Sequence, residues 1–477
     1  MVRFLAALTL VLCLGGFMLA AAEQTQLDNP DPFAEFWNNV MKQPFKDTGW
    51  FDDKTTFGYI MNNLEMGGYV RARPEGTELL TTHNIFGPTP TLAQFNTGWA
   101  DFIATRAMFH VTVPLTPDIK FYGEMINLNV FGENTQFKQT PSGFPREDPQ
   151  VHEPQIELYQ GYGQWDNFIV PGMSAKVGRQ ELNYGDGFIL SNNPFYAGLS
   201  FDAAKVSIKS ELTTVDFWAG EVSSIFKPAG PTDPRIYGGY CTYAFEPSNS
   251  LDFFAFLNTD EMILNNLPAG TQPKADFVDE ERYTVGSRLH GDFLPDVDYN
   301  LEGAYQFGRT GTNAPGAAVR DQVRAYAVQG GIGKTWKEAQ WAPRIGMKAG
   351  YASGDADPTD SKNTVYNPLY RNQHAMNGYA DAVTFSNLVD YAVEGSLKPY
   401  ENITCGTEGH FFYLANHPGA QPSTLGQELD LFAKMKATDN LSLELGYALF
   451  AEGQAFESVA GNREHDQRVY LNVEYSF

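Results

Sequence analysis

Residues 297–307 read VDYNLEGAYQF, and apolar side chains alternate there with polar ones. Val297 and Leu301 fall on one face of an extended chain, whereas Asn300 and Glu302 fall on the other. Successive side chains of a β-strand point to opposite faces of its sheet. A period of two therefore predicts a strand with one apolar face and one polar face.

The same alternation recurs throughout residues 64–477, and turn-forming residues interrupt it at regular intervals. We predict eighteen strands, near residues 64–73, 101–113, 119–130, 155–166, 173–182, 201–209, 212–221, 236–245, 251–258, 282–291, 297–307, 322–335, 344–352, 389–398, 403–413, 428–436, 441–450 and 467–477. Short turns that contain Pro, Asn, Asp or Gly alternate with long polar loops, such as those near 131–154, 183–200 and 352–388. Outer-membrane barrels sort their connections by length in this way. The sequence therefore predicts an all-β fold, a closed antiparallel transmembrane β-barrel of about 18 strands with short periplasmic turns and long external loops.

A physical constraint on membrane proteins also favours a barrel. Only helices and closed barrels cross a bilayer, because every backbone polar group there must be paired within the protein. After residue 22 the sequence contains no apolar run of about 18 residues, the length that a transmembrane helix needs. A barrel of this strand number carries polar side chains inward and has a lumen wide enough for water and solutes. A soluble all-β solenoid or a carbohydrate-binding sandwich is the alternative fold.

The N-terminal part of the chain lies outside the strand pattern. Residues 1–22 contain a basic residue, an apolar run and three final alanines, which predicts a removable secretory signal peptide. Residues 23–60 are interpreted as an N-terminal periplasmic extension. Within it, Pro32 suits the start of a short amphipathic helix over residues 33–41. Residues 61–477 form the predicted barrel, which places the protein in the cell outer membrane.

Composition and motifs argue against several classes of function. The chain has 33 basic and 57 acidic residues, and its formal net charge of −24 argues against a nucleic-acid partner. It contains no nucleophile elbow, zinc-protease motif, phosphate-binding loop or haem-attachment motif, so we predict no enzymatic activity and no cofactor. Asp355, Asp357 and Asp360 have the oxygen ligands that calcium prefers. The EF-hand pattern fails at Tyr366, however, and a solvated turn without metal is the preferred interpretation.

The alternation also predicts which charged side chains face the lumen. The candidate pore-lining residues chosen in this way are Arg106, Lys176, Lys205, Arg288, Glu302, Asp390 and Glu394. Rings of basic side chains select anions, and acidic rings select cations. The predicted inward residues include nearly equal numbers of basic and acidic side chains. The alternative to a selective ring is therefore that these charges pair across strands and stiffen the wall.

Three blocks of sequence resemble the alginate export family of outer-membrane barrels. They are KVGRQEL at 176–182, SGDADP at 353–358 and LGQELD at 425–430, and they occur in the order typical of the family. The resemblance implies an eighteen-strand barrel that passes an anionic exopolysaccharide through an arginine-rich constriction. It assigns that constriction to Arg106 and Arg179, with Lys176 as an inward-facing neighbour. Arg179 shares its parity with outward side chains, so this role requires a bulge near Gly178 that turns it inward.

The sequence therefore predicts an outer-membrane channel that passively conducts a polar substrate through a charged lumen. The resemblance implies an anionic exopolysaccharide such as alginate, and a general or solute-selective porin is the alternative. A surface or structural barrel, whose loops make external contacts, is a third interpretation. The expected partners are outer-membrane lipids, polysaccharide or small polar solutes, and a periplasmic secretion component.

Overall fold

A computed structural model describes most of the predicted barrel. The described residues are 56–78, 83–84, 91–92, 99–132, 156–195, 197–223, 232–262, 280–311, 320–357, 360–417, 422–455 and 465–477. The predicted signal peptide and the predicted helix over residues 33–41 lie outside these ranges. A seven-residue helix, α1 (Thr56–Asn62), leads into the first strand. In the described part of the chain, no helix is long and apolar enough to span a bilayer.

Eighteen antiparallel strands form one closed sheet, to which the two-residue strand Lys362–Asn363 adds in parallel beside residues 322–323. The two-residue strands His83–Asn84 and Thr91–Leu92 pair separately. The eighteen strands of the barrel are β1 (Glu65–Glu78), β2 (Trp99–Thr116), β3 (Ile119–Phe131), β4 (Ile156–Trp165), β5 (Met173–Gln180), β6 (Phe201–Lys209), β7 (Thr213–Val222), β8 (Thr232–Glu246), β9 (Asn249–Met262), β10 (Glu280–Leu294), β11 (Val297–Gly311), β12 (Arg320–Thr335), β13 (Arg344–Ala352), β14 (Leu388–Tyr400), β15 (Ile403–Leu414), β16 (Thr424–Lys436), β17 (Leu441–Glu452) and β18 (His465–Ser476). Each strand pairs with the next one in sequence, and β18 pairs with β1. The predicted strand number and the predicted closed barrel are confirmed.

The last strand meets the first along a continuous seam. Tyr69 of β1 lies opposite Ser476 of β18. The backbone N–H of Gly68 donates to the carbonyl of Phe477 at 3.0 Å, and the N–H of Phe477 donates back at 3.0 Å. A Cβ atom at Gly68 would lie 2.2 Å from the carbonyl oxygen of Met108 in β2. Any larger residue at position 68 would clash with β2, so glycine is required beside the seam.

The outer surface has the pattern of a protein that faces lipid. Leu301 of β11 exposes 53% of its surface, whereas the adjacent Glu302 exposes 3%, so the two faces are assigned as predicted. Exposed aromatic side chains lie toward both ends of the strands, with Trp341 at the short-turn end and Tyr305 and Tyr391 nearer the long-loop end. Aromatic girdles at the two membrane interfaces are typical of outer-membrane barrels.

Among the connections that the structure describes, two long ones turn back into the barrel. We call these two segments, residues 181–200 between β5 and β6 and residues 353–387 between β13 and β14, the inner loops. They hydrogen-bond to each other. The N–H of Ser191 donates to the carbonyl of Tyr370, and the N–H of Tyr370 donates to the carbonyl of Ile189, both at 2.9 Å. The second inner loop contains a four-residue helix, α2 (Gln373–Met376).

An apolar core surrounds the inner loops inside the lumen. Phe188 and Leu190 of the first loop and Phe385 of the second pack with Trp218 of β7 and Phe254 of β9, and all are buried. Burial of these large side chains from water drives the loops inward. The alternation predicted a lumen lined mainly by polar groups. The structure departs from this prediction at inward apolar positions such as Trp218 and Phe254, because these side chains pack against the inner loops and not against water.

Candidate functional site in the barrel lumen

Buried arginine side chains on β1 and β2 hold the tip of the first inner loop. Arg71 and Arg106, which lie opposite each other on the two strands, both donate to the carbonyl of Pro194, at 2.8 and 3.2 Å. Arg73 donates to the carbonyl of Phe195 at 2.6 Å, and its guanidinium lies 4.0 Å from the centre of the Phe195 ring. Backbone carbonyls of the loop are thus bound to charged donors of the wall, which strengthens these bonds.

Arg468 of β18 extends this patch, and we call Arg71, Arg73, Arg106 and Arg468 the arginine cluster. The Arg468 Nε donates to Glu75 at 2.7 Å, and Arg73 Nε lies 3.0 Å from the same carboxylate. Arg468 also pairs with Asp381 of the second inner loop. Each cluster member exposes less than a tenth of its surface. The cluster therefore connects both inner loops to the strands beside the seam.

His374 joins the two inner loops near the arginine cluster. Its ring stacks on Phe195 with centroids 3.5 Å apart, and its Nδ1 lies 3.0 Å from Asp381. Burial lowers the pKa of His374 below its ordinary value of 6.5; Asp381 opposes this shift, while Arg468 and Arg73 add to it. The imidazole is therefore neutral at neutral pH, and its ring can stack without a charge.

We expect acidification to loosen the inner loops through His374. A released loop takes up a proton near the ordinary pKa, whereas the packed loop resists it. The stability that the neutral ring contributes is present above that pKa and is lost as pH falls through the lower, folded value. Limited proteolysis of the inner loops should accelerate as the pH falls below 6.5. His374→Gln should flatten this dependence, and an unchanged pH profile in that variant would contradict the assignment.

A line of alternating charges runs along the opposite wall. Near the short-turn end, the Arg344 Nη2 of β13 donates to Asp298 at 2.8 Å, and its Nε donates to Glu394 of β14 at 3.1 Å. The Nζ of Lys348 lies 2.8 Å from both Glu394 and Glu408. Each acid is shared between strands, so the pairs tie β11, β13, β14 and β15 together.

The line continues to the second inner loop through His410. The Nε2 of His410 lies 3.2 Å from Glu408, and its Nδ1 lies 3.0 Å from Asp390. Asn377 then donates to Asp390 at 3.1 Å and accepts from the Nε of Arg371 at 3.1 Å. We call the wall residues the charge ladder: Asp298, Arg344, Glu394, Lys348, Glu408, His410 and Asp390. The ladder includes two predicted site residues, Asp390 and Glu394, and each is paired with a neighbouring base.

A cavity of about 300 Å³ lies between the charge ladder and the second inner loop. Asp298, Lys348 and Glu394 line its wall, while Arg371 and Ala375 contribute from the loop. We call it the lumen cavity. In the part of the chain that the structure describes, no group of His, Cys, Asp and Glu side chains is arranged to hold a metal ion.

The other predicted site residues lie on the lumen side at different places around the barrel. Lys176 and Lys205 are cross-strand neighbours on β5 and β6. The Lys176 Nζ lies 4.1 Å from the centre of the Tyr162 ring, and the Lys205 Nζ lies 3.2 Å from Asp216. Neither lysine contacts the arginine cluster through these interactions, so one constriction does not gather all the predicted basic residues.

Arg288 and Glu302, on β10 and β11, are also inward and buried. Arg288 lies 2.6 Å from Asp186 of the first inner loop and 3.8 Å from Glu302. Arg288 therefore anchors the loop to the wall beside the lumen cavity, which Asp186 also lines, while Glu302 lies beside Arg288 on the wall.

The structure corrects the expected orientation of Arg179. The pairing of β5 with β4 and β6 is continuous through Gly178, so no bulge turns the side chain inward. Arg179 follows the parity of Val177, which exposes 61% of its surface, and its Nε donates to Asp202 at 2.7 Å. The lumen position beside it belongs to Gln180, which is fully buried.

Several lumen residues were not singled out from the sequence. Arg71 and Arg73 lie within the predicted first strand and share their parity with Glu75 just beyond it, so the alternation alone could have placed them inward. Arg468 lies near the predicted start of the last strand and has the parity of Tyr470. Arg371 has no such signal, because it lies in a loop without periodic structure.

The comparison with known families decides the relationship. A family model described as alginate export matches residues 119–470. The chain belongs to the alginate export family. Family membership and the closed barrel both indicate that this protein is a transport channel of the outer membrane. No curated protein matched the sequence.

Solved structures with the same fold are outer-membrane proteins. This alginate export family member matches OccAB2 of Acinetobacter baumannii with 11% identity and a TM-score of 0.57, over 87% of this chain and 98% of that chain. OpdK of Pseudomonas aeruginosa matches with 10% identity and a TM-score of 0.56, over 87% and 99%. A BenF-like porin of Pseudomonas fluorescens Pf-5 matches with 10% identity and a TM-score of 0.54, over 87% and 99%. At these identities the likeness shows the fold alone.

Proposed function

We propose that this outer-membrane channel passes an anionic exopolysaccharide such as alginate. Membership of the alginate export family supports this substrate, and the observation that carries the proposal is the arginine cluster. Its guanidinium groups are buried in the wall at the level where the inner loops narrow the lumen. Basic groups at a constriction favour anions.

The overall acidity of the chain does not oppose this proposal. Coulomb interactions between exposed charges fade beyond about 8 Å at physiological salt. Acidic residues in external loops are therefore screened from a constriction inside the barrel, while the field of a buried arginine is screened much less. The charges beside the narrow part of the lumen decide which ions enter it.

A solute-selective porin is the second candidate function, and the inner loops favour it. They share an apolar core with the wall, so a thick polymer needs the loops to move, whereas a small solute does not. One structural neighbour, OpdK, has been crystallised with vanillate, a small aromatic carboxylate. Both candidates have an anionic substrate, and they differ in its size.

Planar-bilayer recordings test the proposal. We expect the wild-type channel to prefer anions and to be blocked by uronate oligomers. In the double variant Arg71→Gln with Arg106→Gln, the wall loses two charges but keeps amide donors for the Pro194 carbonyl. Its reversal potential in a salt gradient should move toward cation preference, and oligomer block should weaken several-fold.

Arg179→Gln is the matched control, because it removes a guanidinium from the outer face of the same barrel. It should leave both the reversal potential and the block unchanged. A wild-type channel that prefers cations and ignores uronate would contradict the proposal. Block by small carboxylates with no effect of oligomers would favour the porin.

A further inference from the structure

We propose that Arg371 and the lumen cavity form a binding site for a hydroxylated carboxylate, the chemistry of a single uronate sugar unit. The choice of an acidic sugar rests on the proposed function, whereas the site itself rests on the following contacts. The ligand can come from a free monosaccharide or from one unit of a chain, and the experiment below separates these two sources.

Arg371 is a buried cation whose partners are neutral. It exposes 4% of its surface. Its Nε donates to Asn377 at 3.1 Å, its Nη1 to the carbonyl of Phe188 at 3.4 Å, and its Nη2 to Gln329 at 2.7 Å. Among the described residues, no carboxylate lies within ion-pair distance of this guanidinium, unlike those of Arg288 and Arg344.

A buried charge without an opposite charge is costly. Burial lowers the pKa of Arg371 to about 10, so the group remains charged at neutral pH in spite of this cost. The carboxylates of Glu302 and Asp390 act on Arg371 only from beyond ion-pair distance, and an anion in the adjoining cavity would give it a direct charged partner. A guanidinium has five N–H donors in a planar fork. The three hydrogen bonds above use three of these N–H groups, and two remain for a ligand. The fork matches a carboxylate, which it can bind through two parallel hydrogen bonds.

The ring of Phe385 fixes the orientation of this fork. The guanidinium carbon of Arg371 lies 4.0 Å from the ring centre, so one face of the cation is covered by an aromatic ring. Because the N–H groups lie in the plane of the guanidinium, a ring stacked on its face leaves them able to donate hydrogen bonds. Since Phe385 and Arg371 both line the lumen cavity, an anion can approach that edge from the cavity.

The remaining lining suits hydroxyl groups. Asp186, Asp298 and Glu394 line the cavity, and each is already paired with a base. A paired carboxylate keeps lone pairs that accept hydrogen bonds from hydroxyls. These same carboxylates disfavour a ligand of higher negative charge, such as phosphate. Ala375 and Met376 offer an apolar contact for the C–H face of a sugar ring. The cavity volume of about 300 Å³ is at the lower end for ligand pockets, which suits one ring better than several.

Equilibrium binding to the purified full-length barrel in detergent tests the site. Titration calorimetry would use D-glucuronate, a uronate trisaccharide, benzoate and glucose. We expect glucuronate to bind more tightly than benzoate, which lacks hydroxyls, and glucose to show no binding. If the trisaccharide binds as tightly as the monomer, one unit of a chain is accepted; if only the monomer binds, the ligand is free sugar.

Arg371→Gln should weaken glucuronate binding about tenfold or more, which corresponds to about 1.4 kcal/mol. Arg179→Gln, on the outer face, should bind as the wild type does. The heat-modifiable gel shift of a folded barrel checks each variant. If Arg371→Gln fails to fold, Ala375→Trp provides the test, because residue 375 is exposed within the cavity and a larger side chain would fill it.

Wild-type affinity in a folded Arg371→Gln or Ala375→Trp variant would overturn the proposal, as would equal binding of glucose and glucuronate. These outcomes are separate from a failure of the proposed function. An anion-selective, oligomer-blocked channel with Arg371-independent binding would reject the site alone. Arg371-dependent glucuronate binding in a channel that neither prefers anions nor is blocked by oligomers would reject the export function alone.

Discussion

Leu301→Arg should prevent most of the protein from assembling in the outer membrane. Leu301 lies on the outer face of β11, between the two ends of the strand, and exposes 53% of its surface there. An arginine on the lipid face near the bilayer midplane costs about 2–4 kcal/mol. The measurement is the heat-modifiable fraction of the protein in outer-membrane preparations.

Asn300→Arg is the matched control for this prediction. Asn300 is the neighbouring residue on the lumen side, where it donates to Asp186, so an arginine there gains a carboxylate partner. Glu302 is a poorer control because it is buried 3.8 Å from Arg288, and an arginine would place two like charges together. Equal assembly of Leu301→Arg and Asn300→Arg would contradict the assigned faces of the barrel.

Phe385→Ala should open the core that the inner loops share with the wall. Phe385 is fully buried, and its ring lies 5.9 Å from that of Phe188 and 6.2 Å from that of Tyr366. Truncating a buried phenylalanine to alanine costs about 3–5 kcal/mol through lost burial and the cavity that remains. We expect a lower unfolding temperature and a larger, noisier single-channel conductance, because the loops lose their common support.

Phe253→Ala tests whether this effect is specific to the lumen. Phe253 lies on the outer face of β9 and exposes 53% of its surface, where lipid tails can fill the space that truncation leaves. It should change the unfolding temperature less and should leave the conductance unchanged. A Phe385→Ala channel with wild-type conductance would show that the inner loops do not limit the flow of ions.

The two proposals assign different tasks to the two sides of the lumen. The arginine cluster lies on β1, β2 and β18 and holds the tip of the first inner loop. The charge ladder and the lumen cavity lie on β11–β15, beside the second inner loop. A substrate in the lumen cavity contacts the charge ladder and Arg371. The arginine cluster lies elsewhere, where it binds the tip of the first inner loop and Asp381 of the second. Recordings and binding titrations therefore report on different residues.

Much of the barrel could be predicted because its signals are local. Alternation in segments such as 297–307 reports the two faces of a strand, and sorted connections report the two sides of a membrane. Lipid on one side and the lumen on the other make these faces chemically different along every strand. The strand number, the closed sheet and the inward positions of Arg106, Lys205 and Arg288 follow from that difference.

Partners that lie far away in sequence decide what several of the charged side chains bind. Arg179 faces outward because the pairing of β5 is continuous and keeps the alternation, and Asp202 on the neighbouring strand supplies its ion pair on that face. Arg71 and Arg73 meet Pro194 and Phe195 only after the first inner loop has folded inward. Their pairing therefore reflects the burial of that loop and not the pattern of β1.

The sequence by itself thus determined an outer-membrane barrel of eighteen strands, together with the family to which it is similar. Only the tertiary structure decided that the inner loops fill part of the lumen, that the charge ladder is internally paired, and that Arg371 is left with neutral partners beside a cavity. The physical reason is that strand periodicity records a contrast between two solvents. The course of a loop is set instead by contacts with many strands at once, and no single segment of the sequence contains them.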